Sequence, residues 1–72
     1  MIDFNLVGKK LTKYRKEFGL TQDEVAEHLY VTRQLVSKWE KGIGVPSIDC
    51  LLELCRLYQT SFEDILCLDE SN

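Results

Sequence analysis

The 72-residue sequence predicts a single all-α domain, spanning residues 1–72 and built from five short helices. Apolar residues recur at spacings of three and four along most of the chain, and no stretch shows the period of two that is typical of strands. Residues that favour helix starts precede four of these segments: Thr21, Thr32, Ser47 and Ser61. A chain of this length is near the lower size at which one hydrophobic core suffices.

The first helix is expected to begin at Phe4 or Leu6 and to end at Phe18. Its apolar stripe advances in steps of four, three and four residues: Val7, Leu11, Tyr14 and Phe18. Gly19 follows as a residue suited to the left-handed conformation that closes many helices. Lysines cover the outer face: Lys9, Lys10, Lys13 and Lys16.

Residues 21–42, TQDEVAEHLYVTRQLVSKWEKG, contain two helical patterns with only two residues between them. The first pattern starts at Thr21, which has capping-box spacing to Glu24. The second starts at Thr32 and stops at Gly42. Because so short a link makes the second helix cross the first steeply, the segment predicts a helix-turn-helix.

The second helix of this motif has two different faces. Val36 and Trp39 are three residues apart and are expected to face the core, although stacking of Trp39 on a nucleobase is the alternative. The opposite face is polar and basic: Arg33, Gln34, Ser37, Lys38 and Lys41. Arg and Gln side chains bind guanine and adenine edges in the DNA major groove. The alternative is an ordinary solvated face, since many runs of charge are no more than that.

The remaining part of the chain predicts two further helices. The fourth starts after Ser47 and carries apolar residues, Ile48 and Leu52 among them, on more than one side, so we expect it to be buried. The fifth is short and begins at Phe62. Residues 67–72 are expected to form a frayed acidic tail.

The charge is unevenly distributed. The net charge of −3 argues at first sight against a nucleic-acid partner. Residues 1–45, however, hold eight Lys or Arg and six Asp or Glu, a balance of +2, whereas residues 46–72 hold one Arg and six acids, a balance of −5. A basic front and an acidic back are compatible with a DNA-binding surface, which needs only local positive charge.

No metal site, cofactor site or enzyme active site is indicated. The three cysteines lack metal-ligand spacing, and we expect reduced thiols in a cytoplasmic protein. His28 lies one helical turn after Glu24, a pair able to exchange protons, but no nucleophile accompanies it. Apolar runs are too short to span a membrane, and no signal peptide is visible.

The segments GLTQDEVAEHL and VTRQLVSKWEKG, followed by Pro46, closely resemble the phage-repressor and Cro type of helix-turn-helix. The resemblance to these lambda-repressor-like (XRE-type) regulators covers about residues 7–66, and its strength lies in the combination of motifs. It implies a compact five-helix domain that binds double-stranded DNA sequence-specifically and regulates transcription, as a repressor, with helix 3 in the major groove. Tyr30 and Leu35 depart from the family pattern at the turn and on helix 3. The alternative is an antitoxin or protein-interaction module of the same fold; no small-molecule ligand is expected.

The resemblance also implies base contacts from Arg33, Gln34 and Lys38, and a phosphate or base-edge contact from Gln22. Ser37 lies on the same polar face, and we expect it to contact bases as well. Together with Gln22, further phosphate contacts are expected from Thr32, Lys41 and Gly44. Arg15 and Glu40 are expected to form a structural pair that ties the first helix to the end of the third, with a solvent-exposed Arg15 as the alternative.

We also expect a homodimer on a two-fold DNA operator. A single helix covers only a few base pairs, and paired copies read half-sites about 34–36 Å apart. The predicted dimer surface lies in the C-terminal part, whose apolar side chains exceed what so short a segment can bury: Leu57, Phe62, Ile65, Leu66 and Leu68. The alternative is a monomer in which all five pack inward.

Overall fold

The computed structural model describes residues 1–68 and contains five α-helices in that range. They are α1 (Phe4–Glu17), α2 (Gln22–Leu29), α3 (Arg33–Glu40), α4 (Ile48–Leu57) and α5 (Phe62–Ile65). The prediction of an all-α, five-helix domain is confirmed, and residues 1–68 include no strand. Residues 69–72 of the predicted domain lie outside the described part.

Each of these helices begins at a side chain that accepts backbone N–H groups. The caps are Asp3, Thr21, Thr32, Ser47 and Ser61. Thr21 forms the complete capping box: the Glu24 amide donates to Thr21 Oγ1 at 3.1 Å, and the Thr21 amide donates to Glu24 Oε1 at 2.9 Å. Such a cap contributes about 1 kcal/mol to helix stability.

Each of these helices also ends on a residue in the left-handed conformation. These residues are Gly19 (φ 68°), Tyr30 (58°), Gly42 (75°), Gln59 (54°) and Cys67 (56°). The next amide along the chain then donates to a carbonyl five residues earlier, as Leu20 N does to Arg15 O at 3.0 Å, which is the Schellman motif. Glycine adopts this conformation freely, whereas each of the other three residues carries strain of about 1–2 kcal/mol.

The hydrophobic core lies where α1 and α2 pack against α3, and α4 and α5 close it from the other side. Its members are Val7, Leu11, Val25, Ala26, Leu29, Val36, Trp39, Leu51, Leu54, Cys55, Tyr58 and Ile65. Trp39 is only 2% exposed, so it packs in the core and cannot stack on a nucleobase. Its buried indole N–H has no hydrogen-bond partner among residues 1–68. The Tyr58 ring stacks on Tyr14 of α1, with the ring centroids 5.6 Å apart.

The carboxylate of Asp64 attaches α5 to α1. It accepts hydrogen bonds from the hydroxyls of Tyr14 and Thr60, the latter at 2.6 Å, and lies 3.6 Å from the Lys10 ammonium. The hydrogen bonds from Thr60 and Tyr14, aided by the Lys10 charge, lower the pKa of Asp64. The hydrogen bond to Asp64 correspondingly raises the pKa of Tyr14.

Two expectations about the acidic half of the chain are wrong. Helix α4 is not buried on all sides, because Ile48 is 75% exposed and Leu52 is also exposed. The expected frayed tail does not begin at Cys67, which is buried and takes part in the turn that closes α5. The remainder of that tail, residues 69–72, lies outside the described residues.

Gly8 lies at the closest approach of α1 to α3, a contact that the sequence patterns did not reveal. A β-carbon at this position would lie 2.5 Å from the carbonyl oxygen of Glu40 and 2.8 Å from that of Trp39. Both neighbours are backbone atoms at the end of α3, so they cannot move aside as a side chain would. Glycine in the middle of a helix is ordinarily unfavourable, but here it allows the two helices to touch.

We expect Gly8→Ala to destabilise the domain by about 1–3 kcal/mol, because overpacking outweighs a gain in helix propensity of about 1 kcal/mol. The measurement is the urea unfolding midpoint, with exposed Lys9→Ala on the same helix as the control. A variant as stable as the wild type would show that α1 and α3 can separate without loss.

Candidate nucleic-acid interface

The turn between α2 and α3 is closed by backbone hydrogen bonds that return to α2. Tyr30 takes the left-handed conformation, and its side chain is almost fully exposed. The Val31 amide donates to the Ala26 carbonyl at 3.0 Å. Thr32 then caps α3, because its hydroxyl oxygen accepts the Leu35 amide at 3.1 Å. Tyr30 therefore closes the turn in a left-handed conformation, at a cost in backbone strain.

The polar side of α3 forms one continuous groove. Its lining contains the four residues expected to contact bases, one expected to contact phosphate, and one that was not anticipated: Arg33, Gln34, Ser37, Lys38, Lys41 and Ile43. On the opposite side of the helix, Val36 and Trp39 are buried. Ile43 was missed because it follows the helix, where no periodicity indicates which way a side chain points.

Arg33 is paired across the motif with Asp23 in the first turn of α2. The Arg33 Nε lies 3.6 Å from Asp23 Oδ1, and the side chains are 50% and 73% exposed. Solvent screens a pair of this kind, so it contributes little to stability. Sequence spacing gave no sign of it, because the two residues are brought together only by the crossing of the two helices.

Two of the four residues expected to contact phosphate, Gln22 and Gly44, already donate hydrogen bonds within the protein. Gln22 Nε2 donates to Glu40 Oε1 at 3.0 Å, which leaves the second hydrogen of that amide for another acceptor. The Gly44 amide donates to the Lys38 carbonyl at 3.4 Å, a long bond that a phosphate would have to replace. Lys41, by contrast, extends from the exposed end of α3 into the groove.

Arg15 and Glu40 form an ion pair between α1 and the end of α3. Arg15 Nε donates to Glu40 Oε2 at 2.7 Å, and Arg15 Nη2 donates to Oε1 at 3.1 Å. Arg15 Nη1 also donates to the Leu20 carbonyl at 3.0 Å. The side chains are only 14% and 7% exposed, and the hydrogen bonds to Glu40 raise the pKa of Arg15. The pair therefore holds the end of α3 against α1.

The C-terminal residues expected to form a dimer surface do not all reach the surface. Ile65 is fully buried, so its assignment to an exposed patch is wrong: a four-residue helix shows too little periodicity to separate its faces. Leu57 and Leu66 are partly buried against the core, whereas Phe62 and Leu68 are exposed. Leu52 of α4, which was expected to be buried, lines a surface groove together with Phe62.

Within residues 1–68, no helix has the length and apolar character required to cross a bilayer. The same residues contain no group of three or more His, Cys, Asp or Glu side chains arranged to hold a metal ion. Cys50 and Cys55 are free thiols.

A small helical domain that presents a polar, basic helix from a helix-turn-helix is the architecture of DNA-binding transcriptional regulators. The profile of the helix-turn-helix family matches residues 11–65, and the chain belongs to this family. The resemblance seen in the sequence is thereby confirmed. The family consists of DNA-binding regulators of transcription and is not a family of enzymes.

Individual relatives agree with this assignment. The chain is 38% identical over 63 residues to the uncharacterized HTH-type transcriptional regulator YgzD of Bacillus subtilis. The aligned region covers 88% of this chain and 96% of YgzD. It is 35% identical over 69 residues to the HTH-type transcriptional activator BcrR of Enterococcus faecalis, covering 96% of this chain but only 32% of BcrR. The crystal structure of the clp gene regulator ClgR from Corynebacterium glutamicum superposes with a TM-score of 0.80 at 27% identity, covering 93% of this chain and 71% of that one.

We expect Arg15→Ala to lower the melting temperature much more than Lys13→Ala, an exposed change on the same helix. Removing one partner of a largely buried ion pair leaves the other charge uncompensated, at a cost of about 3–5 kcal/mol. Thermal unfolding followed by circular dichroism measures the difference. Matching melting curves for the two variants would mean that the Arg15–Glu40 pair contributes nothing to the fold.

Proposed function

We propose that the protein represses transcription by docking α3 into the major groove of a specific DNA operator. The supporting observation is the groove on the protein surface along α3, which is lined on one face of the helix by Arg33, Gln34, Ser37 and Lys38. In this proposal these four residues read base edges. Gln22, Thr32, Lys41 and Gly44 hold the flanking phosphates.

Local charge supports DNA as the partner despite the net charge of −3. Three cations, Arg33, Lys38 and Lys41, line the groove, while the one carboxylate on α3, that of Glu40, is turned away into its pair with Arg15. Asp23 of α2 offsets part of the Arg33 charge, but Lys38 and Lys41 keep the groove positive toward a phosphate backbone. The surplus acids belong mainly to residues 46–72.

Repression is the direction we propose because occupancy of a duplex by itself excludes other proteins that need the same DNA. Activation requires an additional surface that contacts the transcription machinery. Transcription from a template carrying the selected duplex next to the promoter would fall on addition of the protein if this is correct, and would rise if the protein activates. We place the protein in the cytoplasm, where such a template would be found.

Selection of bound duplexes from a random pool, at a stated salt concentration, tests the proposal directly. A recovered consensus of a few adjacent base pairs per half-site is the expected outcome. Recovery of unrelated sequences with equal affinities would overturn sequence-specific binding, and any remaining affinity would then be backbone attraction alone.

Arg33→Ala should weaken binding to the selected duplex by about 1–3 kcal/mol and relax the preference at one base pair, because a bidentate base contact is lost. Lys41→Ala should weaken all duplexes alike and reduce the slope of log K against log salt by about 1, since one phosphate contact is lost. Titrations of both variants with selected and random duplexes separate the two roles. Equal losses on both duplexes for Arg33→Ala would remove Arg33 from the base-reading set.

We further propose that two copies pair on the operator through the C-terminal surface. Leu52 and Phe62 line an apolar groove there, and Leu68 adds exposed apolar area, on elements other than α3. A surface of this kind favours association with a partner. Two-fold pairing would place two α3 helices at half-sites about 34–36 Å apart.

Leu68→Asp should leave binding to a single half-site unchanged and lower affinity for a two-half-site operator by tenfold or more, because a charge in the paired surface opposes association. The half-site titration serves as the internal control, and circular dichroism confirms that the variant is folded. Unchanged affinity and stoichiometry on the two-half-site operator would show that the C-terminal surface is not the dimer contact.

A further inference from the structure

We propose that Asp23 is a positioning residue for DNA reading, which orients the Arg33 guanidinium toward a guanine edge. This inference rests on the proposed function, because it concerns how one of the proposed base-reading residues is held. It adds a residue of α2 to the base-reading set, whose other proposed members all lie on α3.

The contact between the two residues is made through the inner nitrogen of Arg33. Its Nε faces Asp23 Oδ1 at 3.6 Å. Arg has five N–H donors, of which only one is on Nε, so a carboxylate at Nε leaves the four hydrogens of the two terminal nitrogens available. Two of those suffice for bidentate bonds to guanine O6 and N7. The pairing therefore favours one orientation of the guanidinium and leaves its outer edge for a base.

Asp23 is not required to cap its own helix. The first turn of α2 is closed by the Thr21–Glu24 capping box, in which each side chain accepts the backbone amide of the other. The Asp23 carboxylate is 73% exposed and is directed at α3, not at the amides of its own helix. The Asp23 carboxylate is therefore available to interact with Arg33 at the proposed DNA surface.

Docking on DNA would strengthen this contact. In the free protein both side chains are at least half exposed, and solvent screens their attraction. A duplex covering the groove removes water and lowers the local dielectric, which strengthens the attraction between the two charges. The same carboxylate repels phosphates, so a docking register that places the backbone beside Asp23 is disfavoured. Asp23 thus favours the register in which Arg33 meets a guanine and opposes binding in other registers.

The test compares Asp23→Asn with Asp49→Asn, the aspartate at the equivalent position in the first turn of α4. Both changes remove one charge two residues after a helix cap, so an effect of the helix dipole or of net charge would appear in both. We expect Asp23→Asn to lower the ratio of selected-duplex to random-duplex affinity about three- to tenfold and to weaken the guanine preference at the Arg33 position. Asp49→Asn should leave both unchanged.

A second arm repeats the change in an Arg33→Ala background. If Asp23 acts through Arg33, Asp23→Asn should then have no further effect on base preference. Three results would overturn the inference. The first is an Asp23→Asn variant that keeps the wild-type base preference. The second is an Asp49→Asn variant that loses as much preference as Asp23→Asn, and the third is an effect of Asp23→Asn that persists in the Arg33→Ala background. If the wild-type protein selects no consensus duplex, both the proposed function and the role of Asp23 are wrong. If the wild type selects a duplex and Arg33→Ala relaxes its base preference, an Asp23→Asn variant with unchanged preference rejects the role of Asp23 alone.

Discussion

The carboxylate of Glu40 fixes the arrangement of the first three helices. It is 7% exposed and accepts hydrogen bonds from Arg15 of α1 and Gln22 of α2, while its own backbone ends α3. Arg15 extends the cluster to the turn after α1 through the Leu20 carbonyl. Gly8 permits the close backbone contact that brings α1 to this end of α3. The hydrogen bonds of Glu40 and the close helix contact at Gly8 thus help to set the direction in which the polar face of α3 points.

Gln22 connects this cluster with the proposed DNA surface. One hydrogen of its amide is held by Glu40, and the side chain lies at the start of α2, where backbone N–H groups favour an anion. A phosphate contact through the remaining hydrogen would link an operator directly to the Arg15–Glu40 pair. Changes at Gln22 would for this reason alter stability and affinity together, which makes Arg33 and Lys41 cleaner probes of recognition.

Local patterns predicted the parts of the fold that depend on residues near one another in sequence. The caps at Thr21, Thr32 and Ser47, and the stop at Gly42, follow from the chemistry of single residues within a turn of each boundary. The inward Val36 and Trp39 follow from a period of 3.6. The shared polar face of α3 follows from the same period.

Features that depend on the crossing of separate elements were not accessible in this way. No periodicity distinguishes Gly8 at a helix contact from a glycine that merely weakens a helix, and none pairs Asp23 with Arg33. The burial of Ile65 and the exposure of Leu52 depend on where α5 packs, which a four-residue helix does not encode by itself. The Arg15–Glu40 contact, between partners 25 residues apart, was expected from the resemblance to a known family and from the position of Arg15 beside the apolar stripe of the first helix.

The left-handed residues that end all five described helices bear on how quickly the domain forms. Each helix carries its own start and stop within a few residues, so its limits are defined before distant parts of the chain meet. Helical domains dominated by such short-range contacts fold on the microsecond to millisecond timescale, because little loop entropy is lost before contacts form. Rapid folding would leave little time for exposed apolar segments to associate with other nascent chains.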